Sequence, residues 1–262
     1  MAVKEKEQFK VDMHDMLETV LKDKGTIATC FKNFHNYSIR NQFIAYFQMK
    51  MRNIEISPIN SFGGWKNLKR SINKGEKAIY LWQPFTIPAK LDKNGNEVEP
   101  KKVVFKYLPR WFALSQTNGN EIKVEDIKVN GFDFNKVYKK YGIKIVNFDN
   151  LNGNVQGFAR VGKKELAINP VAQDIEMTIL HEVAHIALEH DKEDLKLSRD
   201  LKELEAETVA YIIGSILDFD DRLLSDSRGY VQGWFKGNRI PDKNATRIMK
   251  VANDMLKAGL EK

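Results

Sequence analysis

The sequence predicts an α+β protein of two domains, residues 1–125 and 126–262, the first combining helices with an antiparallel sheet. Three observations point there. Helical-period and strand-like stretches come in separate runs rather than in strict alternation. The basic excess is one-sided: residues 1–120 hold 20 Lys and Arg against 11 Asp and Glu, +9, while residues 121–262 hold 22 against 24, −2. Between Asn118 and Gly131 the chain turns polar, with Asn118-Gly119-Asn120 and Asn130-Gly131 as loop signals, which places the boundary near 120–130.

Taken in order, residues 4–24 set Phe9, Met13, Met16, Leu17, Val20 and Leu21 at helical spacing, with Gly25 as the stop and Thr26 as the cap of the next helix. Residues 27–51, rich in Phe and Ile and broken near His35-Asn36, make two more helices; His14 and His35 stand alone and read as ordinary structural or surface residues. Ser57-Pro58 and Gly63-Gly64 mark a turn-rich link, after which residues 65–77 read as a short basic helix closed by Gly75. Residues 78–85 and 103–112 are aromatic and β-branched strands around the turn signal Asp92-Lys93-Asn94-Gly95. Beyond the boundary come a helix over 134–141 ended by Gly142, then strands over 144–148, 155–161 and 165–168, the last two joined through Gly162-Lys163-Lys164. Residues 165–168 offer an edge on which an extended peptide can lie. Asn169-Pro170 opens the next helix, 191–197 is a charged link, and Ser198 caps a helix running to about Leu217. Helices over 225–234 and 244–258 complete the chain.

The strongest chemical signal is His181-Glu182-Val183-Ala184-His185. Residues four apart share a helix face, so both imidazoles can meet one ion while Glu182, one step round, reaches a water there. A catalytic zinc takes three protein ligands and keeps one position open. The surrounding Ile179, Leu180, Val183, Ala184 and Leu188 mark a buried helix, where unpaired imidazoles would be costly. For the third ligand the next helix offers Glu203, Glu205 and Glu207; Glu203 and Glu207 share a face and Glu205 points away. Glu203 is preferred, because Glu207 is then one turn further on, placed to accept the outer N–H of a ligating histidine. Spacing alone also allows the reverse. His190 is offset from the face of His181 and His185 and is excluded as a ligand.

Residues 62–111 hold 11 basic and 4 acidic side chains interleaved with rings. That mixture suits single-stranded nucleic acid, with cations tracking phosphates and rings stacking on bases. Lys66, Lys69, Arg70, Lys74, Lys77 and Arg110 are the expected phosphate contacts, and some of Trp65, Tyr80, Trp82 and Trp111 the expected stacking rings, many rings of the stretch being needed for the core. Cys30 is the sole cysteine, which excludes an internal disulfide and fits a reducing cytoplasm. No apolar run approaches the roughly 20 residues that span a bilayer, and the opening MAVKEKEQFK has no signal core, so a cytoplasmic protein without membrane partners is expected.

HEVAH followed by Glu203-Leu204-Glu205-Ala206-Glu207 resembles the HExxH plus ExxA pattern of gluzincin metallopeptidases, in particular the ImmA/IrrE-like group. The resemblance implies a zincin-like second domain with one zinc ion, His181, His185 and Glu203 as its ligands and Glu182 as general base. The sequence departs from that group after Ala206, where Asn or Asp is frequent and Glu207 is longer. The string SFGGWKNLKRSINKGEKAIYLWQPF, with NQFIAYFQ before it and RWFALSQTNG after it, resembles the N-terminal domain of ArdC-type antirestriction proteins. That family joins a single-stranded-DNA-binding domain to a zincin-like domain and travels on plasmids, conjugative elements and phages. The implied role is protection of incoming DNA from restriction. Two other classes fit the residues: a regulatory peptidase that cuts a repressor protein, and a non-enzymatic DNA-coating protein whose zinc is structural.

Overall fold

The structure is a computed structural model that describes residues 11–124, 127, 129, 131–149, 155–193 and 196–261. Several expectations lie outside them: residues 4–10 of the first helix with Phe9, the 125/126 boundary itself, Asn130 of the second loop signal, and residues 194–195 of the charged link. The chain forms two units, one around residues 44–124 and one made of 12–43 with the chain beyond 124. Residues 12–43, expected in the first domain, therefore cluster with the second. The reason is packing: α1 (Met13–Leu21) and α2 (Lys24–Phe34) bury Met16, Leu17, Val20, Leu21, Ile27 and Phe34 against helices from the end of the chain. Asp12 caps α1, accepting from the N–H groups of His14 and Asp15. Gly25 sits inside α2 rather than stopping α1, and Thr26 is likewise within α2, whose N-cap position is Asp23.

In the first unit the end of α3 (Ile39–Met51) is followed by β1 (Ile59–Ser61), α4 (Phe62–Asn67), β2 (Arg70–Ile72), β3 (Ile79–Ile87), β4 (Lys90–Leu91), β5 (Glu97–Glu99), β6 (Lys102–Ala113) and β7 (Thr117–Gly119). The main sheet has the order β1-β6-β3 with antiparallel pairing, and β2 pairs separately with β7. Period-two alternation buries Ile79 and Leu81 completely and turns Tyr80 and Trp82 to the opposite face. The edge of β3 is partly closed by a helix side chain: Gln48 donates to Tyr80 O at 2.7 Å and accepts from Tyr80 N at 3.0 Å. Residues 65–77 are not one helix. Only Phe62–Asn67 is helical, Lys69 takes a positive φ of 56°, and Arg70–Ile72 is drawn into a strand by pairing with β7. Gly63-Gly64, read as a turn, lies within that helix, which Ser61 caps by accepting from Gly64 N.

In the second unit α5 (Phe134–Tyr141) ends at Gly142, whose φ of 68° is the left-handed conformation that closes a helix. Then come β8 (Lys144–Ile145), β9 (Gly157–Arg160), β10 (Glu165–Ile168), α6 (Ile175–Ala187), α7 (Arg199–Ile216), α8 (Asp221–Phe235) and α9 (Asp242–Leu260). The sheet order is β8-β10-β9, so residues 165–168 form the centre and Gly157–Arg160 is the edge, the reverse of the sequence expectation. β10 has partners on both sides because β8 joins it in parallel, a pairing that local sequence does not announce. β9 lies close on α6: a Cβ at Gly157 would come 2.8 Å from the Thr178 side chain and 3.1 Å from Ala167 O. α7 is the hub, buried continuously from Thr208 to Ile216 and packed on α2, α6, α8 and α9. Ser198 accepts from Leu201 N to start it. Among the described residues no helix is long and apolar enough to cross a membrane.

Candidate functional site

The two central helices of the second unit bring three donors to one point. His181 and His185 lie one turn apart on α6, and their Nε2 atoms are 3.1 Å apart. From α7, Glu203 Oε2 lies 3.4 Å from His181 Nε2 and 3.6 Å from His185 Nε2. Bonds of about 2.0–2.1 Å to a tetrahedral ion put neighbouring ligand atoms about 3.3–3.4 Å apart, so this triangle fits a divalent cation, with a fourth position left over. Among the described residues it is the group of His, Cys and acidic side chains close enough to hold a metal. Glu207, one turn beyond Glu203, lies outside the triangle: its Oε2 accepts from His181 Nδ1 at 2.6 Å.

The electrostatics match a cation site. Burial works against the charged form of His181, yet Glu203 and Glu207 outweigh it and hold the pKa up to about 10. Hydrogen bonds from His181 and His185 keep Glu203 well below the usual carboxylate range. Glu207 also stays low, its burial being overcome by His181. A divalent ion would replace the proton that these carboxylates otherwise hold on the imidazole. Glu182 is shifted the other way. Burial raises it, with His181, His185 and the nearby Ala159 backbone on β9 countering only in part. A carboxylate so placed has an increased appetite for a proton, the property a general base requires. Clefts of about 430 Å³ and 490 Å³ open beside the donors, and His181, Glu182 and Gly157 line both.

Behind His185 is a set of side chains that spacing did not assign. His190 Nδ1 lies 2.7 Å from His185 Nδ1, and His190 Nε2 lies 2.9 Å from Glu205 Oε2. Glu205, fully buried, also accepts from Asn244 Nδ2 at 2.9 Å and from Arg247. The available signal was a glutamate embedded in the apolar run of α7.

The expected nucleic-acid residues divide. Trp65 and Trp111 are only 3% and 6% exposed, and Trp65 Nε1 donates to Phe112 O, so both rings belong to the core and neither can stack on a base. Arg70 is occupied internally, donating to Thr117 Oγ1, Thr117 O and Asn120 O, so it is a structural link between β2 and β7 rather than a phosphate contact. Lys66, Lys69, Lys74, Lys77 and Arg110 are exposed. Tyr80 and Trp82 are half-buried on the outer face of β3, with the Tyr107 ring of β6 at 5.3 and 5.4 Å from theirs. Two residues further along the same face of β6, Phe105 is 63% exposed. Sequence did not single out Tyr107 and Phe105 for this face; their place beside Trp82 and Pro84 appears only once the β3–β6 register is known.

Fold and side chains thus define an α+β protein of two units with a three-donor cluster suited to a divalent cation. Residues 16–112 match the family model of the N-terminal domain of anti-restriction factor ArdC. The metal-free crystal structure of the antirestriction ArdC protein from R388 plasmid is similar in fold, with a TM-score of 0.50 and 17% identity over 94% of each chain. The Mn(II)-bound structure of the R388 protein gives 0.46 and 16% over 86% of this chain and 89% of that one. The chain is therefore ArdC-like, in its N-terminal sequence and in its fold. No curated protein matches it in sequence.

Proposed function

We propose that the protein is an antirestriction factor of a mobile element, pairing a single-stranded-DNA-binding first unit with a zinc metallopeptidase-like second unit. The observation that carries this is the triangle of His181 Nε2, His185 Nε2 and Glu203 Oε2 with Glu182 beside it. Thiolates are absent from the donor set, and two imidazoles with one carboxylate are the set of hydrolytic zinc sites. A bound zinc would polarise a substrate carbonyl and make water a better nucleophile. Glu182 takes a proton from the attacking water and returns it to the leaving amine, a shuttle favoured by its raised affinity for protons. Glu207 holds the His181 ring and keeps its proton on Nδ1. The edge strand Gly157–Arg160 borders both clefts and is the element along which an extended peptide would lie.

For the first unit, the support is the row Tyr80–Tyr107–Trp82 extended by Phe105, together with exposed Lys66, Lys69, Lys74, Lys77 and Arg110. Rings on one ribbon face stack bases without reading their identity, and cations contact the backbone. The antirestriction role rests on the likeness to ArdC, of which the R388 plasmid protein is an antirestriction member.

The test pairs two measurements on zinc-loaded protein. Titration of a labelled single-stranded oligonucleotide should show binding that weakens steeply with salt; no binding at low salt would leave a regulatory peptidase acting on a protein as the surviving reading. Glu182→Gln should keep metal and DNA binding but lose protection of incoming DNA. Unchanged protection would instead mark a DNA-coating protein with structural zinc.

A further inference from the structure

An imidazole that gives Nε2 to a cation must carry its proton on Nδ1 and needs an acceptor there. His181 finds one directly in Glu207. His185 faces another ring: its Nδ1 is 2.7 Å from Nδ1 of His190, and of two nitrogens so placed only one can donate. The far end of the chain decides which. His190 Nε2 is 2.9 Å from Oε2 of Glu205, and an ionised carboxylate can only accept. Arg247 and Asn244 both donate to that carboxylate in a fully buried position, and the guanidinium beside it favours the charged form. His190 therefore holds a proton on Nε2; with that ring neutral, its Nδ1 accepts and His185 donates from Nδ1. That leaves the Nε2 lone pair of His185 facing Nε2 of His181 and Oε2 of Glu203. Requiring a cation at the donor point fixes the same proton arrangement from the opposite end.

We propose that His190 is a positioning residue of the metal centre, and that Glu205, Asn244 and Arg247 act through it to set the tautomer and ring orientation of His185. The proposal rests on the metal-centre reading and adds to it an asymmetric support, direct for His181 and relayed through a second ring for His185. Packing alone gives little reason for such a group. His190, Glu205 and Asn244 are each under 5% exposed, and buried ion pairs are often no more stabilising than apolar side chains of similar volume.

The experiment measures zinc affinity by competition with a chromophoric chelator, alongside the visible spectrum of the Co(II)-loaded protein, for wild type, His190→Phe and His190→Gln. Phenylalanine fills the space but accepts nothing, and His190→Phe should bind zinc about 10–100-fold more weakly, with a shifted Co(II) band. Glutamine keeps one acceptor and one donor, and should restore affinity and band towards wild type. Wild-type affinity and an unaltered band in folded His190→Phe would overturn the proposal. Independently of any variant, long-range 15N–1H spectra of the zinc-loaded wild type should show His185 protonated on Nδ1 and His190 on Nε2. The opposite tautomer on either ring overturns the relay while leaving the metal site intact. A wild-type protein that takes up neither zinc nor cobalt overturns the metal-centre reading itself.

Discussion

Around His181, His185 and Glu203 the ring nitrogens all have polar partners within 3.6 Å, and one of those partners, His190, is itself buried and bonded in turn to the fully buried Glu205. Along β3 and β6, by contrast, Tyr80 and Trp82 each lean on the Tyr107 ring, and Phe105 beyond it is open to solvent. The first arrangement is a coupled network in a partly dry setting, where removing one member leaves the others unpaired. The second is a graded surface, where each ring contributes separately. Loss of a donor should therefore act nearly all-or-none, and loss of a ring in small, roughly additive steps.

The largest effect is expected at the donors. His181→Ala or His185→Ala should abolish stoichiometric zinc uptake, as read by metal analysis after dialysis, and should remove the rise in melting temperature that zinc gives the wild type. Next, if the second unit hydrolyses peptides, Glu182→Gln should lower turnover by about 10²–10⁴-fold without changing metal content, the range that loss of a general base produces. The first unit provides its own contrast between core and face. Trp65→Ala should cost about 3–5 kcal/mol of stability in a denaturant melt, since it empties a buried site and orphans the Phe112 carbonyl. Trp82→Ala should leave the melt nearly unchanged and weaken single-stranded DNA by about 1–3 kcal/mol, one stacked base. The smallest step is a single exposed lysine. Lys66→Ala, Lys69→Ala, Lys74→Ala or Lys77→Ala should each reduce the slope of log affinity against log salt by about 0.7 if it contacts one phosphate of a single strand. Sharp, cooperative loss of DNA binding on removing one ring, or partial zinc retention after removing one histidine, would erase the distinction between the two regions.

How much of this was readable in advance follows the same line. The four-residue spacing within HEVAH and between Glu203 and Glu207 reports helix faces, and helix faces are local, so the grouping of His181, His185 and Glu203 and the contact of Glu207 with His181 could be anticipated from sequence. Strand alternation is local too, and it puts Tyr80 and Trp82 on one face; which face meets the core is set by tertiary packing, and no nearby residue says so. Trp65 and Trp111 stayed among the stacking candidates because a basic stretch does not say which of its rings the core takes. Arg70 was misread because its acceptors lie 47 and 50 residues away across the β2–β7 pair. The relay behind His185 was equally out of reach: Glu205 meets Arg247 across 42 residues. Spacing on α7 gave only the negative statement that Glu205 points away from the shared face of Glu203 and Glu207. Tertiary partners decide such roles, and they also converted the expected helix over 65–77 into a short helix, a left-handed turn at Lys69 and a strand.

The most direct measurement is metal stoichiometry on purified full-length protein, incubated with zinc, freed of loosely bound ions and assayed by elemental analysis beside His185→Ala. About one zinc per chain in the wild type and none in the variant is the predicted result. A wild type that retains no metal, or a variant that retains as much, would contradict the assignment of His181, His185 and Glu203 to a single ion.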